Sequence, residues 1–200
     1  DETKLVRVGS QTDMKTDMGP MVSLRHLERV TNYIQIGKEE GAKLVYGGSR
    51  PKGKGFERGF FVEPTIFTDV HQDMRIFQEE IFGPVLSVIK FSDADDVIAQ
   101  ANNVIYGLAA SVWTRDIRKA IKTANMLKFG TVWINEHGLL ASEMPHGGFK
   151  QSGFGKDLSS YAFDEFTQIK HVYTDLTGEE RKPWYDAVYR KKRRDTRKND

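Results

Sequence analysis

The side chains able to do chemistry fall in two places. Glu79 and Glu80 are adjacent carboxylates just ahead of Gly83–Pro84, and taken alone they read as the solvated end of a helix. Beyond Asn135 the chain turns irregular, and Gly147, Gly148, Gly153 and Gly155 crowd together. A long loop of that kind inside a compact domain is usually functional. This one carries Asn135, Glu136, His137, Leu140, Glu143 and His146. The histidines, His26, His71, His137, His146 and His171, lack tight ligand spacing, so no metal site is expected. The absence of cysteine removes disulfides, thiolate zinc sites and a cysteine nucleophile. No Gly-x-Gly-x-x-Gly follows a strand and opens a helix, so the phosphate-binding fingerprint of a dinucleotide fold is missing.

Hydrophobic periodicity supplies the elements around these residues. Leu27, Val30 and Ile34 recur at three and four, which predicts a helix over 23–40 ending at Gly41. Leu44–Tyr46 before Gly47–Gly48 predicts a short strand and turn, and 50–59 reads as an exposed basic loop. Phe60–Phe67 is strand-like, with Pro64 restricting it to an edge or a broken strand. Val85–Phe91 predicts a strand, followed by a helix with Ser92 as its N-cap and Val97, Ile98 and Ala101 inward. Leu108–Trp113 is a second apolar run. Ile117, Ala120, Ile121, Ala124 and Leu127 then form one face of an amphipathic helix, Gly130 closes it, and Thr131–Ile134 is a third run. Strand, helix, strand, helix, strand at this spacing predicts two consecutive βαβ units. They require a mostly parallel sheet covered by helices, so the expected fold class is α/β. A short helix near Leu158–Phe163 and a strand near Gln168–Tyr173 complete the series.

Composition narrows the class of protein. In 200 residues, 38% hydrophobic and 29% charged content is enough for a core without disulfides. No apolar run approaches the ~18 residues that span a membrane, and Asp1–Arg7 is too charged for a secretory signal. No membrane association is expected, and the cytoplasm is the expected location. Residues 181–200 carry nine basic and three acidic side chains, whereas residues 1–180 carry 21 and 25. A slightly acidic body argues against nucleic-acid binding. The basic run at Arg190–Arg194, with Arg197 and Lys198, reads as a solvated tail.

Five segments, in order across roughly residues 9–175, carry a family resemblance. They are Gly59-Phe60-Phe61-Val62-Glu63-Pro64-Thr65; Glu79-Glu80-Ile81-Phe82-Gly83-Pro84-Val85; Ala101-Asn102-Asn103 through Tyr106-Gly107-Leu108-Ala109; Gly130-Thr131-Val132-Trp133-Ile134-Asn135; and Pro145-His146-Gly147-Gly148-Phe149-Lys150 with Ser152-Gly153. Any one alone is weak. Together they resemble the aldehyde dehydrogenase superfamily, in particular the C-terminal part of its catalytic domain.

The resemblance implies NAD(P)-dependent oxidation of an aldehyde to a carboxylate. A thiolate attacks the aldehyde, hydride leaves to nicotinamide, and a base-activated water hydrolyses the thioester. The family's cysteine lies shortly before the point where this sequence begins, so no catalytic residue is expected here and the chain alone is expected to be inactive. The implied organisation is a partial catalytic domain over 1–163, an oligomerisation strand over 164–177 and a basic tail over 178–200. Glu80 would accept hydrogen bonds from both nicotinamide ribose hydroxyls, since a carboxylate offers two oxygens to two neighbouring donors. Phe82 would pack near the nicotinamide, with Gly83–Pro84 as the turn aiming both side chains. Asn135, Glu136, His137, Leu140, Glu143 and His146 fall in the loop that contributes to the family's substrate tunnel. His146 stands where many members have phenylalanine, and Ser142–Gly148 resembles the aminoaldehyde and betaine aldehyde branch. Acidic side chains at a tunnel mouth would suit a cationic substrate. The implied cofactor is NAD, with NADP left open, and the implied assembly is a homodimer or homotetramer extended through the final strand. The alternative is a truncated, non-catalytic paralogue that binds or assembles with partners, which the missing cysteine favours.

Overall fold

The computed structural model describes residues 2–180 and 183–189, in two units, residues 1–165 and 166–200. The first unit is α/β. Its elements are α1 (Leu24–Glu39), β1 (Lys43–Tyr46), β2 (Thr65–Thr68), α2 (Arg75–Gln78), β3 (Val85–Ser87), α3 (Ala94–Asn102), β4 (Tyr106–Gly107), β5 (Ala109–Val112), α4 (Ile117–Met126), β6 (Thr131–Ile134), β7 (Phe149–Lys150) and α5 (Tyr161–Phe166).

Helix α1 forms as its periodicity predicts. The Ser23 hydroxyl accepts from the His26 amide as N-cap, and Leu27, Val30, Tyr33 and Ile34 are buried. They pack with Val62, Phe67, Val70, Met74, Ile76 and Ile81 in one core. Strand β2 begins immediately after Pro64, where the missing amide proton is not needed, and it is the central strand of β1-β2-β3 rather than an edge. It runs antiparallel to β1 and parallel to β3. The run from Val85 to Phe91 contributes only three paired residues, because β2 supplies only four and Asp69 turns to φ 55° directly after it.

Only one of the two expected βαβ units forms within a sheet. β5 and β6 pair in parallel across α4, in register from Ala109↔Thr131 to Val112↔Ile134. β3 pairs with β2 and not with β5, and the short β4 pairs antiparallel with β7. Apolar runs announce strands, but which edges meet is decided by packing. The helix α3 is capped by the Asp93 carboxylate, which accepts from the Asp96 amide at 2.8 Å, and not by Ser92. The short late helix begins at Tyr161 rather than Leu158, since Leu158 and Ser159 hold φ of 63° and 54°, outside helical space.

In the second unit, Gln168–Tyr173 takes no ladder partner. A strand needs an adjacent edge to satisfy its backbone, and none of the described residues supplies one here. A helix, α6 (Pro183–Tyr189), follows, with the Trp184 and Tyr185 rings edge to face at 4.1 Å. The basic run of 190–198 lies outside the described residues. Among those that are described, no helix is long and apolar enough to cross a membrane.

Candidate functional site

The segment from Glu79 to Pro84 is an extended turn laid across α1, and its side chains alternate in fate. Glu79, Ile81 and Gly83 face the protein. The Glu79 carboxylate accepts from Arg75 at 2.8 and 2.9 Å and from the Tyr33 hydroxyl at 2.5 Å. These bonds, Arg75 first and Tyr33 second, hold its pKa down to about 2. The same contact raises the Tyr33 hydroxyl above its ordinary range. Ile81 is 7% exposed in the core. A Cβ on Gly83 would sit 2.5 Å from Val30 Cγ2, so only glycine lets the turn lie this close to α1.

Glu80 and Phe82 face outward. The Glu80 side chain is exposed, and its carboxylate has no hydrogen bond or ion pair among the described residues. Its carbonyl accepts from Arg29 of α1 at 2.5 Å. Phe82 is 73% exposed and holds φ 58°, an unusual backbone for a bulky residue. Its carbonyl lies 2.6 Å from His26 Nε2, and the two rings lie 6.1 Å apart. The far end of the turn is fixed by the Thr65 amide, which donates to the Pro84 carbonyl at 2.8 Å. The result is an anchored inner row presenting one free carboxylate beside one free aromatic ring. A carboxylate with both oxygens open can accept from two neighbouring hydroxyl donors.

The loop after β6 is built differently. Asn135, at φ 54°, is a strand-end fastener: its Oδ1 accepts from the Thr114 amide at 2.8 Å and its Nδ2 donates to the Thr114 carbonyl at 3.0 Å. His137 Nδ1 lies 2.6 Å from Ser111 Oγ, and its ring meets the edge of Trp133 at 5.2 Å. Trp133 in turn donates to the Leu139 carbonyl at 2.7 Å. Glu136 accepts from the amide of His137 at 2.9 Å and is otherwise exposed, as are Leu140 and Glu143. His146 is placed elsewhere. Its Nδ1 lies 2.9 Å from Thr131 Oγ1, at the opposite end of β6, and its backbone bridges Asp157. Asn135, Glu136 and His137 cluster at the carboxyl ends of β5 and β6, while His146 sits at the start of β6.

The glycine-rich run is closed by fasteners too. A Cβ on Gly130 would lie 1.6 Å from the Gly147 carbonyl oxygen, so the loop and β6 meet backbone to backbone. Lys150 donates to the carbonyls of Asn102 and Val104 at 3.0 and 2.9 Å, a cation at the C-terminus of α3. Desolvation, with Lys128 nearby, lowers the Lys150 pKa. Asn102 ties the same end to α4 through the Met126 carbonyl and the Lys128 amide. Among the described residues no group of three or more histidine or acidic side chains could hold a metal.

The family resemblance singles out Glu80 and gives Glu79 no role, whereas in the structure Glu79 ties the turn to Tyr33 and Arg75. The sequence alone does not reveal Tyr33, Arg29, Arg75 and His26, which hold the turn. Tyr33, Arg29 and His26 lie 46 to 56 positions from their partners, so no local pattern could reveal them.

Residues 1–172 match the family model for the aldehyde dehydrogenase family. A betaine aldehyde dehydrogenase of Bacillus subtilis (strain 168) is 48% identical over 170 residues, 85% of this chain and 35% of that protein. Another from Brucella anthropi is 48% identical over 176 residues, 88% of this chain and 36% of that one. Among solved structures, the NAD+ complex of an aldehyde dehydrogenase from Bacillus cereus superimposes with TM-score 0.82 at 48% identity, over 88% of this chain and 35% of that chain. A Staphylococcus aureus betaine aldehyde dehydrogenase in complex with NAD+ gives TM-score 0.82 at 38% identity, over 90% and 37%. The chain thus spans about a third of the length of the relatives it matches.

Proposed function

The chain belongs to the aldehyde dehydrogenase family, and on that premise we propose that it forms the nicotinamide-positioning part of an NAD-dependent enzyme oxidising an aldehyde to its carboxylate. The observation that carries this reading is the free Glu80 carboxylate and exposed Phe82 on a turn held through the Glu79 carboxylate by Tyr33 and through the Glu80 and Phe82 carbonyls by Arg29 and His26. Bound NAD would supply the hydride acceptor. Glu80 would take both ribose hydroxyls, and Phe82 would line the nicotinamide edge. Fixing the ring in this way orients it for transfer without later reorganisation. The chain has no cysteine, so the attacking thiolate is supplied from outside these 200 residues and the chain alone is inactive.

The aldehyde we propose is an aminoaldehyde or betaine aldehyde. The similar proteins named betaine aldehyde dehydrogenase support this, as do exposed Glu136 and Glu143 on the Asn135–Gly148 loop. A carboxylate near an entrance draws a cation by Coulomb attraction. Cytoplasmic residence and a homodimer or homotetramer extended through 164–177 belong to the same reading.

The test is Glu80→Gln in the active dehydrogenase carrying this segment. Hydride transfer should slow by about 10- to 100-fold, as expected when orientation is lost. Unchanged turnover and cofactor affinity would remove Glu80 from the site. The competing, non-catalytic reading rests on the missing cysteine. An antibody to this segment separates the two: a native product much larger than 200 residues supports the enzyme, and one of 200 residues supports the binding module.

A further inference from the structure

We propose that His26 and Arg29 are positioning residues for the cofactor contact, acting as a two-point clamp on the backbone carbonyls of Phe82 and Glu80. The proposal rests on the reading of Glu80 and Phe82 given above. The two donors stand three residues apart on α1, the spacing that places side chains on one helix face. They reach the two carbonyls that bracket buried Ile81, Arg29 to Glu80 and His26 to Phe82, at 2.5 and 2.6 Å. Each carbonyl belongs to an outward-facing residue, so the clamp acts on the peptide units that aim the free carboxylate and the free ring.

The hydrogen-bond chemistry fixes the state of His26. A carbonyl oxygen only accepts, so Nε2 must carry the proton. Nδ1 is buried and has no partner among the described residues. A buried polar atom left unsatisfied weakens a fold, and such groups in native structures call for an explanation. Here the explanation is at the other nitrogen: the ring is placed for the sake of its Nε2 bond. Phe82 holds φ 58°, a conformation a bulky side chain keeps only when its surroundings impose it. The His26 bond on its carbonyl and the contact of Gly83 with Val30 are the impositions the structure supplies.

The clamp can be tested in the 200-residue chain without activity. Long-range proton–nitrogen correlation of the His26 ring should show the Nε2–H tautomer, and the scalar coupling at Phe82 should report positive φ. His26→Ala should shift that coupling toward the negative-φ range, and His26→Gln, which can still donate to the carbonyl, should keep it. In the intact dehydrogenase, His26→Ala should lower kcat by about tenfold with aldehyde KM and Tm unchanged, and His26→Gln should recover most of the loss. An Nδ1–H tautomer, or His26→Ala leaving the Phe82 coupling unmoved, overturns the clamp whatever the enzyme's chemistry. A fall in Tm with kcat unchanged overturns it as well, leaving His26 a packing residue. Full turnover in Glu80→Gln with the Nε2–H tautomer intact would instead overturn the cofactor reading on which the kinetic role depends.

Discussion

Helices α1 and α4 present the same kind of sequence and meet different fates. Both have apolar residues at three- and four-residue spacing. In α1 the stripe is covered: Val30 is 0% and Ile34 2% exposed, packed on Phe67, Ile76 and Ile81. In α4 only Ala120 is buried, while Ile117 and Ile121 stay 67% and 50% exposed. An amphipathic pattern states that a face needs cover, not that the neighbouring elements provide it. The functional consequence follows the same line. The turn bearing Glu80 and Phe82 lies on the covered helix and is tied to it by Tyr33, Arg29 and His26, whereas the loop after β6 leaves Glu136, Leu140 and Glu143 exposed.

The comparison predicts unequal costs of truncation. Phe67→Ala, in the covered core, should destabilise by roughly 3–5 kcal/mol. Ile121→Ala, on the open face of α4, should stay within about 0.5 kcal/mol in the same denaturant titration, as surface changes usually do. Equal costs would break the distinction.

Gly83→Ala comes next. Its Cβ would press on Val30 Cγ2 at 2.5 Å, and the expected loss is about 1–3 kcal/mol from overpacking. A neutral result would mean that the turn is not seated on α1.

The smallest effect concerns Glu79. Its folded pKa is depressed from 4.5 to about 2, so its contribution is full above the unfolded value and is lost as pH falls from about 4.5 through about 2. The pair with Arg75 is partly exposed, at 49% and 37% of side-chain area, and water screens it. Glu79→Gln should therefore cost less than about 1 kcal/mol at neutral pH and flatten the acid limb of the stability profile. An unaltered acid limb would show that Tyr33 and Arg75 do not hold the carboxylate.

Much of the fold could be read from residue spacing. The helix over 23–40, the strands at Leu44–Tyr46 and Thr131–Ile134, and the parallel pair across α4 follow from periods of 3.6 and 2 and from glycine breaks. The family followed from five motifs in order, and the absence of cysteine set a hard limit on the chemistry of these 200 residues. Other features were not legible. Asp93 rather than Ser92 caps α3, and two left-handed residues delay α5, because caps and φ signs depend on local backbone geometry.

The sequence by itself determined which residue types were present, where apolar periodicity called for helix or strand, and that Glu80 and Phe82 alternate with Glu79, Ile81 and Gly83. Tertiary structure alone decided what holds the turn that carries them. Arg29, His26 and Tyr33 reach the turn across 46 to 56 positions, and His146 leaves its neighbours for Thr131. Hydrogen bonds and close contacts act through space within a few ångströms, and spacing along the chain records them only inside a single element.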